Sequence, residues 1–290
     1  MSSMTTQDSE RRSKDSFAQA FLKSGSSLQY RVASILKKNG WEVKLEQAYM
    51  DDTESKVRQC DIIATRMIHG GDVKVELIIE CKYVKDGHIV FLRDDAEDYS
   101  SKKDERSESI QAVSSYFKEH FDKRARDSHH YFGPICLSYA CLVRDKDGRF
   151  KVDDDTVFKA IGQVIKPMID RAKGTYENTV TYPIIVIGNS EIYECAIGAL
   201  PDLASSSEEI PFQFESKENI CLEYSYVLGL GQKTSTFVID ILKGDSFEEY
   251  LLQVIEPEIG QLIECRNGIT TARDMRRMRG DKTNGSLSYR

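Results

Sequence analysis

The sequence predicts an α/β protein whose core runs helix, strand, strand, strand, helix, strand in a mixed sheet, extended by a C-terminal α/β part. Three observations carry this. An apolar stripe at helical spacing precedes a strand that alternates apolar and polar residues. Two β-rich runs flank a Gly-Gly pair. A continuous apolar run then follows a second helical stripe.

The first helix is expected over Ser26–Asn39, where Leu28, Val32, Ile35 and Leu36 form one stripe. Ser26 and Gln29 have capping-box spacing, and Gly40 stands where a helix ends in the left-handed conformation. Residues 41–49 (WEVKLEQAY) alternate as a strand with one buried face. Strands at Gln59–Ile68 and Val73–Tyr83 follow, separated by His69-Gly70-Gly71-Asp72, a hairpin turn signal. After a polar, mixed-charge interval, a helix is expected at Glu108–Arg126, with Ile110, Val113, Phe117 and Phe121 on one stripe. Pro134–Val143 suits a buried central strand.

Farther on, the pattern predicts a helix at Asp153–Ala172 and strands at Tyr182–Gly188, Glu191–Gly198, Ile220–Leu228 and Thr236–Leu242. A final helix over Asp245–Cys265 is expected to kink at Pro257. No glycine- or proline-rich linker divides the chain. The expected organisation is a mobile N-terminal segment (1–19), a core (20–148), an α/β extension of the same domain (149–265) and a mobile basic tail (266–290).

Composition sets limits on function. The 290 residues carry a net charge of −7, which argues against a protein that coats nucleic acid passively. The charge is uneven: residues 266–290 hold seven basic and two acidic side chains, a local +5 that leaves −12 on the rest. The tail reads either as a solvated end or as an arm for phosphates. No apolar run is long enough to span a bilayer, and the polar N-terminus lacks the apolar region of a secretory signal. Seven cysteines without a CxxC pair point to a reducing, cytoplasmic setting, and most sit in apolar runs as small hydrophobes. The five histidines show no zinc-type spacing with them. His129 and His130 have no partner that can be named from the sequence.

The hairpin permits a geometric argument. With Gly70-Gly71 as a two-residue loop, paired positions add to 141, which sets Asp61 opposite Glu80, with Lys82 on the same face. The other face, Ile62, Ala64 and Ile68 against Ile79, Leu77 and Val73, is expected to be core. Opposed carboxylates repel unless something positive lies between them, and a hard divalent cation meets that need. A lysine beside the cation can orient a water or neutralise charge on a phosphate oxygen. These are the parts for hydrolysing a phosphodiester.

Asp61, then Glu80-Cys81-Lys82 after a hairpin, within an αβββαβ order, resembles the PD-(D/E)xK nuclease superfamily, with its restriction-endonuclease-like fold. The runs GSSLQYRVASILKKNGWEV, RQCDIIA and LIIECKYV are most similar to its Mrr-like branch, over about residues 20–143. The resemblance implies Asp61 and Glu80 as ligands of Mg²⁺ (or Mn²⁺), the Cys81 carbonyl as a third ligand, and Lys82 as the catalytic lysine. Two departures stand out. Cys60 replaces the motif's proline. Gln29 occupies the place where the first helix often supplies a glutamate, so it either positions water or serves as a capping glutamine. Arg58 and Lys85 flank the site as phosphate contacts or as ordinary strand-end charges. Gln111 could face it.

The expected function is therefore an Mg²⁺-dependent endonuclease. DNA is a better candidate substrate than RNA, the setting is prokaryotic defence against foreign DNA, and the enzyme is a homodimer or larger oligomer with no membrane partner. A catalytically decayed module that binds nucleic acid or scaffolds an assembly is the alternative. A phosphohydrolase acting on nucleotides ranks last, because Gly229–Lys233 lacks P-loop spacing.

Overall fold

A computed structural model describes residues 25–51, 54–68, 73–93, 129–132, 135–172, 179–196, 214–228 and 233–263, together with Ser16 and Phe21. The rest of the N-terminal segment 1–19, the turn expected at residues 69–72, the helix expected at Glu108–Arg126 with Gln111, and the tail 266–290 lie outside these residues.

Helix α1 (Gly25–Lys38) buries Leu28, Val32 and Leu36, the stripe read from the sequence, and Gly40 ends it at φ 80°. Strands β1 (Glu42–Asp51), β2 (Lys56–Ile68) and β3 (Val73–Arg93) form an antiparallel meander. The β2–β3 register runs from Ile62↔Ile79 to Ile68↔Val73, every pair adding to 141 as predicted. Ile62, Ala64, Ile68, Val73, Leu77 and Ile79 all lie in one buried cluster, because period-two alternation on a paired hairpin leaves no other face for them.

Beyond the hairpin the structure departs from expectation. Strand β3 does not end at Tyr83 but continues to Arg93, changing partner as it goes. Its first half pairs with β2, and Gly87–Arg93 pairs antiparallel with β4 (Ile135–Arg144). Strand β4, expected as a buried central strand at Pro134–Val143, does stand between β3 and β8 (Asn219–Leu228) in the sheet, but it is only partly buried. It meets β8 only at Ile135 and Cys136, and Leu137 and Ser138 are exposed. The place beside β3 is taken by β6 (Thr179–Ala196), parallel to it along its length and reached through helix α3 (Asp155–Ala172). Both β4 and β6 carry apolar runs, and such runs do not say which strand enters the parallel position. Strand β6 is also continuous where two strands were expected; Asn189, at φ 57°, lies within it.

The remaining elements are the short helix α2 (His129–Phe132), β5 (Phe150–Val152), β7 (Glu215–Lys217) and β9 (Lys233–Lys243). All nine described strands belong to one mixed sheet. It is not simply open, since β3, β4, β8, β9 and β6 pair in a closed five-strand circuit. Elements before and after residue 148 thus share one sheet.

One face of the sheet packs on α1 and a C-terminal helical segment (244–263) through Ile79, Val186, Leu251 and Ile259. The other packs on α3, where Ile161, Val164 and Ile165 meet Ile78, Ile185 and Ile239. Each such buried aliphatic side chain contributes roughly 1.5–3 kcal/mol. The C-terminal segment passes through a π turn at Leu251–Ile255. Pro257, expected to kink this helix, lacks an N–H and crowds the carbonyl four residues back, at Gln253, inside that turn. No helix among the described residues is long and apolar enough to cross a membrane.

Two buried acids pin α3 to the meander. Glu76 accepts two hydrogen bonds from Arg171, at 2.8 and 2.5 Å, and Asp51 binds Lys166 at 2.7 Å. Burial alone would raise the pKa of both acids, but their cationic partners outweigh it and hold them low.

Candidate active site

The β2–β3 ladder stops at Ile62↔Ile79, one residue short of Asp61 and Glu80. Here the two cores exchange sides. Ile62 belongs to the α1 core and Cys60 to the α3 core, although alternation would put both on one face. In the adjacent strand, Leu45 packs on the α1 core and Tyr49 on the α3 core. Between them Glu46 has φ 49°, an uncommon conformation for a residue with a side chain. The local break in alternation frees Asp61 from regular pairing, much as a bulge re-aims a side chain.

The side chains expected together are together. Asp61 Oδ2 accepts the backbone N–H of Cys81 at 2.8 Å. Glu80 Oε1 binds Lys82 Nζ at 2.5 Å. Glu80 is 1% exposed, and its Oε2 has no hydrogen-bond partner among the described residues. Burial, and then the charge of Asp61, push the Glu80 carboxyl up to about 7 against the pull of Lys82. A carboxylate held in this way would gain from a cation at its open oxygen.

The other expected residues divide. Gln29, buried on α1, donates from Nε2 to the Asp61 carbonyl at 2.8 Å, so it anchors the backbone of a site residue. Cys81 joins the site through its backbone, while its side chain lies in the α1 core. Arg58 is bound to Asp51 at 3.0 Å and to Glu54 at 2.5 Å, which commits its charge internally. Lys85 lies in β3 at the register break between Tyr83 and Gly87, and its side chain is outside the description.

A cleft of about 780 Å³ opens beside the register break of β3 and β6 and the end of β9. Arg31, Arg144 and Lys243 line it, and it reaches Tyr83, next to Lys82, though not Asp61 or Glu80. Arg31 and Lys243 already carry acidic partners, Asp245 and Glu191.

A second polar cluster escaped the sequence reading. His129 and His130, for which no partner was expected, meet Asp240 of β9 and Cys221 of β8. The ligand atoms of these four residues lie within 4.8 Å of one another and could hold a metal ion. Glu258 Oε1 contacts His129 Nδ1 at 2.6 Å. Burial opposes a charge on His129, but Asp240 and Glu258 outweigh it and hold its pKa up to about 10. Cys221, given no role of its own by the sequence, is 3.4 Å from Asp240 Oδ1, and burial with that carboxylate pushes its thiol up. The adjacent histidines were the only available signal, since their partners lie on strands far along the chain.

No family model, no curated protein and no solved structure matches this chain.

Proposed function

We propose that the protein is a metal-dependent endonuclease hydrolysing phosphodiester bonds, DNA before RNA, with Asp61, Glu80 and Lys82 as its reactive set. The observation that carries this reading is Glu80: a carboxylate buried beside Asp61 with one oxygen unpartnered. A fold gains nothing from that arrangement unless a cation completes it. The element order adds support. Helix α1, the β1–β3 meander, helix α3 and β6 parallel to β3 are compatible with an αβββαβ succession, with α3 and β6 in the places read from the sequence at Glu108–Arg126 and Pro134–Val143.

Asp61 and Glu80, with the Cys81 carbonyl, would hold Mg²⁺, for which Mn²⁺ can substitute. When bound, the ion polarises the phosphate and acidifies a water. Lys82 places a positive charge at the mouth of the site, 22% exposed beside the buried Glu80. From there it can orient the attacking water or offset charge on the phosphate. Gln29 fixes the Asp61 backbone and leaves its carboxylate to the metal. The cleft beside Tyr83, where Arg144 stands with the paired Arg31 and Lys243, offers a path for the nucleic-acid backbone. A homodimer would present two such sites to the two strands of a duplex, as suits cytoplasmic defence against foreign DNA.

A decayed, binding-only module is the second reading. One observation favours it: Gln29 stands where a further acid would be and is occupied with a backbone carbonyl. Incubating plasmid and single-stranded RNA with wild type and Lys82→Ala, with and without Mg²⁺, separates the two. Cleavage that needs both Mg²⁺ and Lys82 supports the nuclease. Tight, metal-independent binding without strand breaks supports the module.

A further inference from the structure

The second polar cluster differs from the Asp61–Glu80 site in chemistry and in position. Asp240 pairs across the sheet with Ile184, and Ile184 with Ile79, so Asp240 points to the α1 face. Glu80 pairs with Ile185 and faces the α3 core. The two sites therefore lie on opposite faces of the same sheet.

Three groups from two elements, α2 and β8, converge on Asp240. Asp240 Oδ1 lies 2.9 Å from His129 Nε2, 3.0 Å from His130 Nε2 and 3.4 Å from Cys221 Sγ. His130 Nε2 is also 3.0 Å from Oδ2, so one buried carboxylate gathers two imidazole nitrogens and a thiol. His129 Nε2 is also 3.1 Å from the Tyr250 hydroxyl. The same spacing suits the corners of a tetrahedron. With Zn–N near 2.0–2.1 Å and Zn–S near 2.3 Å, ligand atoms sit roughly 3.3–3.6 Å apart, so a slight opening of the cluster admits the ion.

The surroundings are those of a ligand set held in place. Glu258 accepts the His129 backbone N–H at 2.7 Å, contacts Nδ1 at 2.6 Å and accepts the Tyr182 hydroxyl at 2.9 Å. A carboxylate on Nδ1 keeps a proton on that nitrogen, so that Nε2 is the nitrogen that would exchange its proton for a metal. Two imidazoles, a thiolate and a carboxylate select zinc over the hard, oxygen-seeking Mg²⁺. A cavity of about 220 Å³ touches His129, Cys221 and Asp240 and gives an entry path.

We propose that His129 Nε2, His130 Nε2, Cys221 Sγ and Asp240 Oδ1 bind one Zn²⁺, with Glu258 orienting His129. Four protein ligands leave no open position, so the site is structural. It ties α2 to strands β8 and β9 and closes the five-strand circuit near the β4–β8 contact. Binding releases to solvent the Cys221 thiol proton and the proton that His129 Nε2 holds against Asp240.

The test uses the full chain, purified without chelator. Metal analysis is expected to find close to one zinc per chain in wild type and in Asp61→Ala, and almost none in the double variant His129→Gln/Cys221→Ser. Removing zinc from wild type lowers its Tm, and adding Zn²⁺ restores it. Cobalt exchange of wild type guards against a variant that does not fold. It should give the visible bands of a tetrahedral site with a thiolate-to-cobalt charge-transfer band. A zinc-free wild type whose Tm ignores added Zn²⁺, a cobalt form without the thiolate band, or full zinc content in a folded double variant overturns the proposal. None of these readouts depends on nuclease activity, so the two proposals fail separately.

Discussion

The backbone N–H of Cys81 donates to Asp61 Oδ2 at 2.8 Å, so a side chain on β2 takes a donor of β3 just where the ladder between those strands has ended. This bond aims the Asp61 carboxylate along β3, towards Glu80, and the fold keeps two acids together despite their repulsion. The arrangement costs stability and makes sense at a site where charge is used.

Lys82→Ala is expected to lower Mg²⁺-dependent cleavage by roughly 10²-fold or more, the size of effect seen when a group acting on transition-state charge is removed. Mn²⁺ binding, followed by paramagnetic resonance, should persist, because the carboxylates remain. Loss of metal binding together with activity would make Lys82 a scaffold for the site instead.

Glu80→Gln is expected to stabilise the metal-free protein at neutral and alkaline pH. The folded-state pKa of Glu80 is raised to about 7 from 4.5, so folding favours the protonated acid and the wild type loses stability as pH rises through that window. The full penalty, on the order of 3 kcal/mol, applies above about pH 7. Urea unfolding in EDTA at pH 5 and pH 8 should show the variant gaining more at pH 8. Cleavage should be lost.

Glu76→Gln is expected to act in the opposite sense. Burial raises its carboxyl, but Arg171 and Lys74 overcome this and leave the folded pKa below the unfolded value. Its contribution is therefore present above about pH 4.5 and lost as pH falls through the lower folded value. Breaking this buried pair should cost about 3 kcal/mol at pH 7 and much less at pH 3, read from denaturant midpoints.

Gln29→Ala leaves the Asp61 carbonyl without its buried donor and is expected to cost about 1–2 kcal/mol. Cleavage should weaken with the metal requirement unchanged. An unchanged midpoint would show that the Gln29 bond does not hold the site.

The local half of this structure was legible in the sequence. Leu28, Val32 and Leu36 announced α1, and Gly70-Gly71 set the register that brings Ile62 to Ile79 and Asp61 towards Glu80, because helical stripes and hairpin pairing depend only on near neighbours. What lies farther apart depended on folding in three dimensions. The apolar runs of β4 and β6 look alike, yet β6 stands beside β3 because α3 carries it there. Whether Arg58 was a phosphate contact or a strand-end charge stayed open in the sequence, and its pairing with Asp51 and Glu54 is a matter of tertiary structure. His129 reaches Asp240 across 111 residues, and no spacing rule covers that distance. Its partners were set by the closure of β8 and β9 onto the sheet, an outcome of packing that periodicity does not encode.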